Sequence, residues 1–145
     1  MSGTAYTPSS AGFSTAPLAD AEKADVRRFC GYSAYGNGAQ SFSMWVFSRW
    51  YTVLEFRMAN LAPAELQTLR MILTELAATE QALFGARGNL DTDQAAVWRH
   101  NRGEVSDRWG DFNRKRRHLA AFIGVPDGDS LKAQPGGLSS NVISI

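Results

Sequence analysis

The chain has 145 residues, enough for one domain with a real core and too few for two ordinary ones. Hydrophobic residues make up 44% and charged residues 20%, a globular balance, and the formal net charge of +1 argues against a surface that is one large nucleic-acid footprint. The one cysteine, Cys30, allows no internal disulfide and fits a small core residue in a reducing compartment. No apolar run nears the ~20 residues of a membrane span, so no membrane partner is expected. The opening "MSGTAYTPSSAGFSTAP" lacks a basic and an apolar leader region, so a secretory signal is not expected either.

Residues 1–17 are Gly, Ser, Thr, Ala and Pro with two isolated aromatics, and read as an arm. A short helix is predicted from Leu18 to Cys30. Its acids come early (Asp20, Glu22), its bases late (Arg27, Arg28), and Gly31 stands at the stop. Gly31, Gly36 and Gly38 let the following segment turn, and Tyr32 and Tyr35 can pin it to the body.

The second helix is predicted from Ser43 to Asn60, with Phe47, Tyr51, Leu54, Met58 and Leu61 as its main stripe. Trp45, Trp50, Val53 and Phe56 fall off that stripe, so the helix is apolar nearly all round. One small domain cannot cover such a helix, and these four residues are expected to form a subunit interface.

Pro63 opens the third helix, whose stripe is Leu66, Leu69, Leu73, Leu76 and Leu83, with a stop expected near Gly85. Asp91 and Gln94 form a capping box for the fourth and longest helix, predicted from Thr92 to Ile123 and closed by Gly124. Trp98, Val105, Trp109, Phe112, Leu119 and Ile123 are its core stripe. Glu80 and Arg116 each interrupt an apolar stripe, and we expect them to form an ion pair between the third and fourth helices. Residues 125–145 lose helical periodicity yet end on Val142, Ile143 and Ile145. They read as an extended C-terminal arm, which like residues 1–17 is expected to be held by something outside the domain. The fold expected is all-α: a four-helix bundle-like subunit (18–124) with one long C-terminal helix and two extended arms (1–17 and 125–145).

Catalytic patterns are missing. His100 and His118 lie five turns apart, no Cys, His, Asp and Glu set has metal-ligand spacing, and Gly36-Asn37-Gly38 lacks the third glycine and the strand of a phosphate loop. Asp107 and Asp111 are better placed to pair with nearby arginines than to work as acid and base. No enzyme activity, cofactor or metal is expected. The cluster "NRKRRH" around Arg114, Lys115 and Arg117 could contact phosphates or an acidic partner, although bases near a helix C-terminus also suit the dipole.

The stretch "LADAEKADVRRFCGYSAYG", followed in order by "NLAPAE" and "NLDTDQAAVW", resembles a family of tailed-bacteriophage proteins encoded among head and neck genes. The resemblance runs from about Leu18 to Gly128, with Ser33 where the relatives often have proline. That family is the head-to-tail adaptor, also called the connector or head-completion protein. The resemblance implies a homo-oligomeric ring, typically a dodecamer, in the virion neck after assembly in the host cytoplasm. It implies a portal protein above, tail or nozzle proteins below, and DNA passing through the channel without sequence specificity. By the same resemblance the C-terminal arm would enter the portal ring. Leu131, Leu138, Val142, Ile143 and Ile145 are the apolar residues available there. A small DNA-binding packaging or regulatory protein, using residues 114–117, is the alternative.

Overall fold

The computed structural model describes residues 5–34, 49–90 and 98–134. Among these it is all-α, with five helices: α1 (Asp20–Phe29), α2 (Arg49–Ala59), α3 (Pro63–Leu90), α4 (Trp98–Ile123) and the short α5 (Asp129–Lys132). The expected second helix is found from Arg49 onward, and the capping box at Asp91 and Gln94 lies outside the described residues. α3 continues past Gly85 to Leu90, beyond the expected stop. A glycine inside a helix costs only about 1 kcal/mol relative to alanine, too little by itself to stop a helix.

α1 and α3 start with the same device, in the pentapeptides "LADAE" and "LAPAE". The N-cap is alanine, which offers no side-chain acceptor, but the glutamate three residues on reaches back to its N–H. Glu22 accepts from Ala19 at 3.1 Å and Glu65 from Ala62 at 2.8 Å. Each thus makes the backward half of a capping box.

α3 and α4 run antiparallel and supply most of the core, with Leu69, Leu76 and Leu119 fully enclosed. α1 lies across them and buries Val26 and Phe29. The Phe29 ring meets Phe112 edge to face at 6.1 Å, and Phe112 meets Trp109 likewise at 5.9 Å. α2 buries Tyr51, Leu54 and Met58, as its spacing predicts, and is tied to α1 by a bidentate Arg27–Glu55 pair.

The N-terminal segment is held by the chain itself. Arg70 on α3 donates to the carbonyls of Ser14 and Ala16 (both 2.7 Å) and Pro17 (3.2 Å) while its guanidinium also grips Glu22. Gln67 donates to Phe13, and Ser10 is buried against the same helix. For residues 10–17 this corrects the expectation of an outside partner, since a guanidinium with five donors satisfies backbone that composition alone leaves unpaired, and residues 1–4 lie outside the described residues. Arg70 hydrogen bonding, partly opposed by burial, holds the Glu22 carboxyl below its ordinary value. The unfolded chain has the ordinary value, so this contribution is complete above that pH and is lost as pH falls through the depressed folded value. Protection factors for hydrogen exchange over residues 5–17, taken against the intrinsic rate at each pH, should therefore hold down to the ordinary glutamate range and fall below it. In Glu22→Gln they should be lower at neutral pH and lose that acid step.

The stretch "RRFCGY" is where the fold converges. α1 ends in a Schellman motif: Tyr32 N–H donates to Arg27 C=O (2.9 Å) and Gly31 N–H to Arg28 C=O (3.1 Å), with Gly31 at φ +85°. The remaining carbonyls are met from distant parts of the chain. Arg116 Nε donates to Phe29 O at 2.9 Å, Gly128 N–H to Cys30 O at 2.8 Å and Ser130 N–H to Gly31 O at 3.2 Å. Tyr32 donates its hydroxyl to Pro126 O at 2.7 Å, and Tyr51 donates to Ser33 O at 2.9 Å. Tyr35, the other expected pin, lies outside the described residues.

Two expectations are corrected here. Glu80 pairs with Arg28, not Arg116, and Arg116 bonds the α1 carboxyl end and Asn113 instead. The physical reason is that α1, wedged over α3 and α4, brings both an exposed guanidinium to Glu80 and a negative dipole end to Arg116. Burial lowers the Arg116 value, and a cluster of carbonyls still compensates its charge. Arg116→Met keeps the stem but strips charged donors from buried carbonyls, each worth about 1.5–3 kcal/mol. Its denaturant midpoint should fall clearly below that of Arg114→Met, whose side chain is exposed.

The second correction concerns the C-terminal arm. Residues 125–134 belong to the body. Val125 and Leu131 are buried, Leu131 completely, and α5 sits against Gly31. Leu131 is thus a core residue of its own chain and not available to a portal. The sequence lacks a helical period there because two glycines in contact, with a single turn of helix beside them, create no period.

Candidate subunit-contact surface

α2 buries one side and leaves another open. Phe56 is 67% exposed and Trp50 42% exposed, while Val53 packs partly on the core. Trp45 lies outside the described residues. The three positions step back by about 60° each on a helix of 100° per residue, so they form one oblique band. Burying such side chains is worth about 1.5–3 kcal/mol each, and in the single chain that contribution is unrealised at Phe56. Glu55 is taken up by Arg27. The neighbouring Arg57 donates to the Ile123 carbonyl at 3.0 Å, capping α4, and meets no carboxylate among the described residues.

A second open feature lies between α3 and α4. A groove of about 510 Å³ is floored by Ala78, Ala82 and Leu83 and rimmed by charged residues of α4. On that rim Arg108 pairs with Glu104 and Lys115 with Asp111 (3.5 Å), while Asp107 meets no base among the side chains described, which exclude those of residues 86–102. Neither this groove nor the exposed Phe84 (53%) on α3 follows from a single-helix pattern, because both depend on how helices sit beside each other.

The basic cluster is largely spent inside the fold. Arg117 lies 3.3 Å from Asp127, an ion pair without hydrogen-bond alignment at Nε, and it donates through Nη2 to the carbonyls of Leu131 and Gln134. Lys115 bonds Thr79 as well as Asp111. Of the three side chains expected to face phosphates, Arg114 alone is exposed and unengaged among the described residues. Leu138, Val142, Ile143 and Ile145 lie outside them.

The thiol of Cys30 is pushed up to about 12 by burial, which suits a core residue and not a nucleophile. Among the described residues no group of three or more His, Cys, Asp or Glu is gathered to hold a metal, and no helix is long and apolar enough to cross a membrane. No family model matches the chain, and no match was found among curated proteins or solved structures.

Proposed function

We propose that this chain is a structural subunit of a tailed-bacteriophage neck: a head-to-tail adaptor that assembles as a homo-oligomeric ring beneath the portal, extends the DNA channel and receives tail components. The subunit is a helical bundle-like body, and residues 135–145 are its portal-directed arm. The observation that carries this reading is the α2 band. A small chain with a well-filled core leaves Phe56 largely exposed and Trp50 partly exposed on one helix, which fits a subunit finished by a neighbour. The three ordered motifs of the first subsection support the same reading. The DNA-binding alternative draws less support, since Lys115, Arg116 and Arg117 are engaged within the subunit.

The test is the mass of the purified chain alone and mixed with portal rings, by native mass spectrometry. A discrete ring on the portal is expected, with duplex DNA bound weakly and without sequence preference by the free subunit. A chain that stays monomeric beside portal rings, or that binds one DNA sequence selectively, would overturn the reading.

A further inference from the structure

A closed ring needs a heterologous contact, in which one patch of each copy meets a different patch on the next. Resting on the ring reading above, we propose which two patches these are: Phe56 of one copy enters the α3–α4 groove of its neighbour, and Arg57 faces Asp107 there. Three observations converge on this pairing.

The first is shape. Phe56 is an apolar knob standing 67% exposed, and the groove is floored by two alanines and a leucine, small enough to leave room for a ring. The second is charge. Arg57, next to the knob, has a neutral carbonyl as its partner and no carboxylate among the described residues, whereas Asp107 on the groove rim has no base among the side chains described. Each is the complement of the other. The third is position. Arg57 lies against Ile123 at the carboxyl end of α4, while Asp107 is sixteen residues earlier on that helix. At 1.5 Å per residue the two are about 24 Å apart along the axis, so they cannot meet within one copy. Knob and groove are thus two different patches set apart along α4, as a head-to-tail contact requires.

Cysteine cross-linking tests the pairing without touching the knob. Thr52 is exposed one turn from Phe56, and Ala78 is exposed on the groove one turn from Ala82. Thr52→Cys and Ala78→Cys are each purified, and wild type with its buried Cys30 serves as the background. With a short bis-maleimide, an equimolar mixture should give a covalent dimer that neither variant gives alone. The double variant should give a ladder of dimers, trimers and higher species. Adding Phe56→Ala to the first variant, or Asp107→Lys to the second, should abolish the mixed dimer while circular dichroism stays unchanged. Efficient cross-linking of Thr52→Cys with itself would mean that the α2 faces pair with each other, and would overturn the proposal. A sample that runs as a ring but gives no mixed dimer would overturn the pairing and leave the ring reading standing. Samples that stay monomeric with portal present would overturn both.

Discussion

Gly128→Ala is expected to be among the most damaging single-methyl changes the chain can receive. An added Cβ at Gly128 would overlap the carbonyl carbon and oxygen of Gly31 and crowd the Tyr32 nitrogen at 2.7 Å. These are backbone atoms of a Schellman motif, fixed by bonds on both sides, so nothing flexible can move aside. Gly31→Ala meets the same contact from the other side, with Leu131 at 2.6 Å, and adds the penalty of φ +85°. Overpacking costs about 1–3 kcal/mol, and a side chain in the left-handed region about 1–3 kcal/mol more. A domain of this size has only about 5–15 kcal/mol in total. Thermal unfolding followed by circular dichroism should show both variants melting far below wild type or failing to fold. Gly110→Ala supplies the contrast. Its Cβ would meet nothing within 4 Å on α4, so the higher helix propensity of alanine should stabilise by about 0.5–1 kcal/mol. If Gly128→Ala melts like wild type, the contact between the two glycines is not the keystone described.

That contact also marks the boundary between what the residues reveal in one dimension and what they do not. The buried stripe Tyr51, Leu54 and Met58, the glycine stop at Gly31 and the α4 core at Phe112, Leu119 and Ile123 all follow from periodicity and capping, because each is decided within a few residues. The odd charge at Arg116 was legible as a residue needing a partner, but not which partner. Glu80 and the end of α1 compete for it, and only the docking of α1 decides. Leu131 reads as an arm residue in one dimension, because its burial depends on Gly31 and Gly128, 97 positions apart, meeting without side chains. The repeated "LADAE" and "LAPAE" starts were visible as letters, and their shared reach-back bond is the signal that could have been read from them. The open band on α2 was foreseeable from one helix; the groove that we propose receives it was not, since a groove belongs to two helices at once.

The position of the C-terminal cut should decide whether the chain loses its fold or only its attachment. Removing everything after Pro126 takes away Leu131, which is fully buried, and the N–H groups that meet the Cys30 and Gly31 carbonyls. It also removes the Leu131 and Gln134 carbonyls and the Asp127 carboxylate around Arg117, leaving a half-buried cation alone. Losing a buried leucine costs about 2–5 kcal/mol, and each orphaned buried polar group about 1–3 kcal/mol more. That shorter chain should be aggregated or strongly destabilised, so its failure on a phage head would say nothing about an arm. Removing everything after Gln134 spares every one of these contacts and deletes Leu138, Val142, Ile143 and Ile145. It should keep wild-type helicity and melting. If residues 135–145 are the portal-directed arm, it should also fail to stay on portal-bearing heads, and packaged DNA should leak from them. Ordering eleven residues costs on the order of 1–2 kcal/mol each, so a single arm binds modestly. A ring of arms on a ring of portal subunits binds all at once, and its loss should then be abrupt, not graded, as truncated subunits are mixed with full-length ones. Normal retention by the chain ending at Gln134 would place the anchor on the helical body, where the α2 band is the first surface to mutate.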